Sequence, residues 1–157
     1  MNASDKKSLQ NPLRQATLLF LIRDNEILLA MKKRGMGIGK WNGVGGKPMI
    51  GETIIDAAIR ETHEEIGVTP TSLKKVATLL FFFPNLPQFH DWNQEVIVFF
   101  ADTWEGEPKE SEEMAPKWYP RSKIPFSEMW EDDIHWLPKV IQGNIVTGKF
   151  TFDKELK

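Results

Sequence analysis

Apolar residues crowd into five stretches of strand length and one stretch of helical period. Residues 15–23 and 26–31 are almost continuously apolar, interrupted by Asp24-Asn25, and predict two strands joined by a tight hairpin turn. Residues 73–83 and 94–103, rich in Leu, Val, Ile and Phe, predict two more, with Pro84 and Pro87 in the loop between them. Residues 145–152 predict a last short strand. Between Thr53 and Gly67 the period changes. Ile55, Ala58, Ile59, Thr62 and Ile66 recur as one core-facing helical stripe, with a capping-box-like start at Thr53 and Asp56 and a left-handed stop at Gly67. Thr62 interrupts the stripe, but its hydroxyl can bond the carbonyl four residues earlier, so its burial costs little. Ser127 to Ile141 predicts a second helix, interrupted near Pro138 and ended by Gly143. With no internal repeat or linker, the order predicts an α/β layered domain over 13–157, after a polar, frayed segment at 1–12.

The first helix carries candidate chemistry. Glu61, Glu64 and Glu65 stand at i, i+3 and i+4, so at roughly 100° per residue they share an arc of about 100°. Three crowded carboxylates repel one another unless a positive group lies between them. A hard divalent cation with oxygen ligands is the natural occupant, magnesium first and manganese as a substitute. A solvated acidic face is the plainer alternative, although it accounts for neither the spacing nor the loop that precedes it. That loop, Gly35 to Gly51, holds seven of the 11 glycines. Such density calls for positive φ or close approach to a ligand, and the backbone of Val44, Gly45, Gly46 and Lys47 is the expected place for phosphate oxygens; a merely flexible hairpin loop is the alternative.

Composition narrows the partners. A chain of 157 residues suits one domain, and a formal charge of −2 lends no support to broad nucleic-acid or anionic-membrane binding. There is no cysteine and no signal segment, so the reducing cytosol is the expected location; a monomer is the expected state. No apolar run approaches the roughly 20 residues needed to cross a bilayer.

The segment from Gly46 to Val68 resembles the Nudix hydrolase signature. Gly46, Glu52, Arg60, Glu61, Glu64, Glu65, Gly67 and Val68 all fall on its specified positions, and only Thr62 departs, where the family prefers an aliphatic residue. The resemblance implies a Nudix fold, a mixed β-sheet sandwiched between α-helices, and attack by water on a nucleoside diphosphate linked to another group. It assigns Glu61, Glu64 and Glu65 to the metals, with the carbonyl of Gly45. Glu61 or a neighbour helps to deprotonate the water, and Glu52 supports the site. Arg60 orients the glutamates, and a simple i,i+4 pair with Asp56 is an equally good account of it.

Residues outside the signature are similar to one branch of that family, the oxidised purine nucleoside triphosphate diphosphatases. The similar stretches are MKKRGMGIGKWNGVGGK at 31–47, ESEEM at 110–114 and IPFSEMWEDDIHWLP at 124–138. By this resemblance Thr17, Lys32 and Asn42 line the nucleotide pocket, Trp130, Asp132 and Asp133 read the base, and Glu113 lies near the metals. Phe81 offers an aromatic wall. The trio makes chemical sense, since an indole face stacks a base and two adjacent carboxyls do not both ionise cheaply. An ionised carboxyl accepts from guanine-type N–H groups, and a neutral one donates to an adenine-type nitrogen, so 8-oxo-dGTP and 2-hydroxy-dATP could share the pocket. Plainer alternatives stand beside this: Trp130 as a core anchor, Asp132-Asp133 as a helix-start charge pair, and Lys32 as a solvated strand-end lysine. Met36 replaces an aromatic residue of the branch and Gln94 a methionine. The 84–95 loop is longer than its counterpart, and Phe89, His90 and Trp92 either reshape the pocket mouth or pack the loop. The C-terminus is shorter, leaving Phe150 and Phe152 to close the sheet. The implied activity is magnesium-dependent release of pyrophosphate from damaged purine triphosphates, in nucleotide-pool sanitation. Other Nudix reactions (on capped RNA, dinucleoside polyphosphates or nucleotide sugars) and a non-catalytic nucleotide-binding module are the competing readings.

Overall fold

The computed structural model describes residues 13–35, 37–83 and 93–151. Expectations for residues 1–12, Met36, Pro84, Pro87, Phe89, His90, Trp92 and Phe152 lie outside the described residues. The first two strands are β1 (Arg14–Arg23) and β2 (Glu26–Lys32), with Asp24 in their turn at φ 40°. A two-residue strand β3 (Trp41–Asn42) follows, then helix α1 (Ile54–Ile66) and a short β4 (Thr69–Pro70). Next come β5 (Lys74–Phe82), β6 (Gln94–Ala101), a short β7 (Trp104–Glu105) and β8 (Met114–Pro120). Helix α2 (Asp133–Ile141) and β9 (Val146–Thr151) complete the described elements.

The main sheet runs β3-β2-β1-β6-β5-β9, with β8 on the other edge of β2. It is mixed, since β1 lies parallel to β6 and β5 parallel to β9, whereas β5 and β6 are antiparallel. Both faces are covered. Phe20, Ile27 and Leu29 point into one core with Trp136, Leu137 and Val140 of α2. The alternate positions Leu19, Leu21, Leu28 and Ala30 point into a second core with Ala58 and Ile66 of α1. The period of two along a strand thus feeds two cores at once, which is why these strands read as unbroken apolar runs.

Strand β1 and strand β2 pair only at their turn, Ile22 with Ile27 and Arg23 with Glu26. Beyond it they diverge, and the glycine loop fills the gap. Trp41 and Asn42 pair with β2, after which Val44 pairs with Leu19 and the Gly46 carbonyl accepts from Thr17 N at 2.8 Å. This wedge brings the loop under α1, where the acidic side chains lie.

Several sequence expectations need correction. The α1 stripe is rotated: Ala57, Ala58, Thr62 and Ile66 are buried, while Ile55 is 48% exposed and Ile59 only half-buried. The caps agree with expectation, Thr53 accepting from Asp56 N at 3.1 Å and Gly67 turning left-handed at φ 73°. The Thr62 hydroxyl donates to the Ala58 carbonyl at 2.7 Å. Helix α2 runs through Pro138, and the interruption falls earlier, between the turn Phe126–Glu128 and Asp133. The proline removes only the bond to the Ile134 carbonyl, and Ile134 is 53% exposed, so water can replace it. Strand β8 had no expectation at all. Pro116 and Pro120 mask it, and they are tolerated because, among the described residues, β8 pairs with β2 alone and has no strand on its other edge.

Candidate active site

Thr53 and Gly67 fix the ends of α1, so the acidic face has a defined direction, and the glycine loop is packed directly beneath it. A Cβ on Gly45 would stand 1.8 Å from the Thr17 carbonyl oxygen, and one on Gly46 2.4 Å from the Glu61 carboxyl carbon. Only glycines let the backbone pass between β1 and the helix at this separation. The Gly45 amide donates to Glu65 Oε2 at 3.2 Å, and the Gly46 amide donates to the Thr17 hydroxyl at 3.2 Å.

Arg60 is the hub of the carboxylates. Its Nε and Nη2 fork onto Glu52 at 2.8 and 3.0 Å, a bidentate pair. Its Nη1 donates to Glu61 at 2.9 Å and Glu64 at 3.1 Å, and Nη2 also reaches the Lys47 carbonyl at 3.0 Å. Its ion pairs are therefore with Glu52, Glu61 and Glu64, and the Asp56 alternative falls away. The guanidinium and the Met49 amide hold Glu52 below the usual carboxylate range. Glu61 is raised, mainly by burial. Glu65 is pushed up to about 7 by burial first and by the Glu61 charge second, against the opposing Gly45 amide.

Among the described residues, no three acidic or imidazole groups converge as a ready-made cation cage. Arg60 holds Glu61 and Glu64 to its side, and Glu113 turns away to Arg34. That pairing lowers the Glu113 pKa, and Glu113 still acts on Glu65 through space. The donors nonetheless suit a hard divalent ion. They are all oxygens, and the partly buried charge of Glu61 and Glu65 is destabilised in a way that a cation would relieve.

Beside the acidic face opens a cavity of about 460 Å³. Thr17, Lys32, Asn42, Gly45, Gly46 and Lys47 line it, together with Phe81, Trp130, Asp132 and Asp133. Val44 is the exception among the expected lining residues. It is 3% exposed and packs in the α1-side core, because pairing with Leu19 turns its side chain inward. Asn42 lines the cavity, and its Oδ1 accepts from the Gly43 amide at 2.8 Å. Phe81 is stacked on Phe150 at 5.6 Å. Lys40 Nζ stands 5.3 Å from the Trp130 ring centroid, and the backbone of Gly37 is pressed so close that a Cβ would lie 3.1 Å from that ring. Trp130 is thus a half-buried cavity wall and not a core anchor.

Asp132 and Asp133 are not a solvated helix-start pair. They are 7% and 3% exposed, and neither carboxyl caps α2. Asp132 Oδ2 accepts from Trp136 Nε1 at 2.9 Å, while Asp133 Oδ2 is buried without a partner. Burial raises both, and the neighbouring Asp132 charge helps to push Asp133 up to about 9. Burial of two adjacent carboxyls favours the neutral form of one of them, and the pair is close enough to share that proton. Sequence reading missed Lys40, Leu79, Phe83 and Val96 in the lining, and gave Gln94 no place there. The strand residues carried a usable signal in their alternation along β5 and β6.

The NUDIX domain model matches residues 12–140. The chain belongs to the Nudix hydrolase family. Among Nudix relatives, the oxidized purine nucleoside triphosphate hydrolase of Danio rerio is 48% identical over 136 residues, spanning 87% of this chain and 85% of that protein. The protein of the same name from Mus musculus is 43% identical over 139 residues, spanning 88% and 86%. The crystal structure of the MutT protein from Bacillus halodurans superposes with a TM-score of 0.75 over 92% of this chain and 94% of that one. At 23% identity that likeness speaks for the Nudix fold alone. Nudix hydrolases generally need a divalent metal ion, and α1 presents oxygens of the kind that suit one.

Proposed function

We propose that this protein hydrolyses oxidised purine nucleoside triphosphates, such as 8-oxo-dGTP and 2-hydroxy-dATP, to the monophosphate and pyrophosphate. The observation that carries the reading is the buried Asp132-Asp133 pair beside Trp130, in a cavity that opens onto the acidic face of α1. Relatives at 48% and 43% identity that are named as hydrolases of such nucleotides support it.

Each part of the site has a task in this reading. Glu61, Glu64, Glu65 and the Gly45 carbonyl would hold magnesium, and Glu113, paired with Arg34 here, would be a further oxygen donor for it. The bound ion would neutralise phosphate charge and make water more acidic. Glu61 or its neighbour then takes the proton of the attacking water. Arg60, fixed by Glu52, keeps the glutamates in their directions and does not touch phosphate. Lys32 and Lys47 face the triphosphate, and Thr17 braces the glycine loop from β1; the amides of Val44, Gly45 and Gly46, expected to meet phosphate, are already taken by Leu19, Glu65 and Thr17. The base stacks on Trp130 against Phe81, with Asn42 at its edge. Asp132 and Asp133 share protons so that the pair accepts from guanine-type N–H groups or donates to an adenine-type nitrogen. Residues 13–157 act as one domain, as a monomer, in the cytosol where the triphosphate pool is held.

Pyrophosphate release from 8-oxo-dGTP, 2-hydroxy-dATP and dGTP with magnesium tests this. Turnover of the oxidised substrates is expected, and no release from any purine triphosphate would defeat the reading. Release from a nucleotide sugar or a dinucleoside polyphosphate alone would move the protein to another branch of the family.

A further inference from the structure

A second cavity, of about 370 Å³, opens at the opposite end of the sheet, and no step of the hydrolysis uses it. It shares no lining residue with the cavity beside the acidic face of α1. From β1, β5 and β6 the first cavity takes Thr17, Phe81 and Val96, whereas the second takes Ile22, Val76 and Phe100. Helix α2 divides in the same way, with Asp133 lining the first and Val140 and Ile141 the second. These apolar residues belong to the core on the α2 side, so the second cavity has a preformed apolar floor. Its polar lining includes Ser72, Lys74 and Asp102, all exposed, and Arg121, which is half-buried.

Arg121 follows directly on β8, and its backbone amide donates to the Asn25 carbonyl at 2.8 Å. Its Nε is shut away from water and has no hydrogen-bond partner, and among the described residues the guanidinium makes no ion pair. Arg23, Arg34 and Arg60 differ in this respect, since each holds a carboxylate. The acceptors nearest at hand are committed elsewhere. Asp102 accepts from the Ser72 hydroxyl at 3.0 Å. At the end of α2 the carbonyls of Pro138, Lys139 and Val140 accept from the amides of Gln142, Asn144 and Gly143. A guanidinium N–H withdrawn from water without an acceptor costs stability, and a ligand that brings one relieves that cost.

We propose that this cavity is a binding site for a small organic anion, a carboxylate or phosphate ester carried on an apolar body, with Arg121 as its anchor. Two oxygens of such a group match the fork of a guanidinium, and Lys74 adds a second positive charge. The apolar body lies on Ile22, Val76, Phe100 and Val140. A volume of about 370 Å³ is at the low end for small-ligand sites, which favours one ring with one charged group. The site is independent of which nucleotide the Nudix centre hydrolyses.

Phenyl phosphate and benzoate are the probes, with benzyl alcohol as the uncharged control, each titrated into the full chain in chelator and followed by amide-resolved NMR. Saturable shifts are expected at the amides of Lys74, Asp102, Gly143 and Asn144 and at the Arg121 Nε–H, with a Kd on the order of 1 mM. Arg121→Met keeps the packing of the stem and removes the charge, so it should weaken the anions about tenfold or more. The wild-type titration locates the site without the variant. Binding of only one probe upholds the site and tells a phosphate ester from a carboxylate. Shifts confined to the cavity beside α1, no saturation by about 20 mM, or equal binding of benzyl alcohol overturns the proposal. Undiminished binding by a folded Arg121→Met protein overturns it as well.

Discussion

Replacing Asp133 by asparagine is expected to stabilise the nucleotide-free protein, by an amount that grows with pH. The carboxyl is 3% exposed, one of its oxygens has no partner, and burial beside Asp132 pushes it up to about 9. In the unfolded chain it titrates near 4. A carboxyl raised on folding is most compatible with the native state below its unfolded value. Its contribution is lost progressively as pH rises from about 4 towards 9. Across that window the folded protein holds up to one more proton than the unfolded chain, which sets a limiting slope of about 1.4 kcal/mol per pH unit. For a chain of this size 1 kcal/mol moves Tm by roughly 2–4 °C, so the limit is about 3–5 °C per unit. Asparagine preserves the shape and cannot ionise, so the variant should lose much of this dependence; Asp132 retains its own. Thermal melts of both proteins from pH 5 to 9, with chelator and without nucleotide, should diverge in favour of the variant as pH rises. Parallel curves with a constant offset would refute the buried-pair account.

Further perturbations separate chemistry from scaffold. Glu64→Gln should lower kcat by more than about a hundredfold, while Tm moves little because the side chain is 53% exposed; rates near wild type would remove Glu64 from the metal site. Gly45→Ala sets a Cβ against the Thr17 carbonyl oxygen at 1.8 Å, where backbone has to move. A loss of about 3 kcal/mol or more in urea denaturation is expected, and wild-type stability would show that the loop does not lie where described. Arg60→Ala leaves Glu52, Glu61 and Glu64 without their shared cation and should lower the Tm measured in chelator. Millimolar magnesium should raise the Tm of this variant more than that of the wild type, and an equal rise in both would argue against competition between Arg60 and the ion for the same carboxylates.

Local pattern was enough to specify α1. Its caps, its length and the i, i+3, i+4 carboxylates all depend on neighbours within about four residues, and the structure places them as the spacing requires. The strands β1, β2, β5 and β6 were legible for the same reason, since unbroken apolar runs mark strands buried on both faces. The rotation of the α1 stripe was less so, because isoleucine scores as core wherever it stands and only packing against β1 leaves Ile55 outside.

What the sequence alone determined was therefore the helix that carries the acidic signature, the need for glycine before it, and the family whose signature joins the two. Tertiary structure decided the remainder. It turned Val44 into the core, gave Arg60 to Glu52 across eight residues, hid β8 behind its prolines, and set Gln94 in the wall of the cavity. It also buried Asp132 and Asp133 together, which changes what adjacent aspartates can do. The physical reason is range. Helix periodicity and capping act along the chain, whereas desolvation and charge pairing depend on which distant segments exclude water from a group.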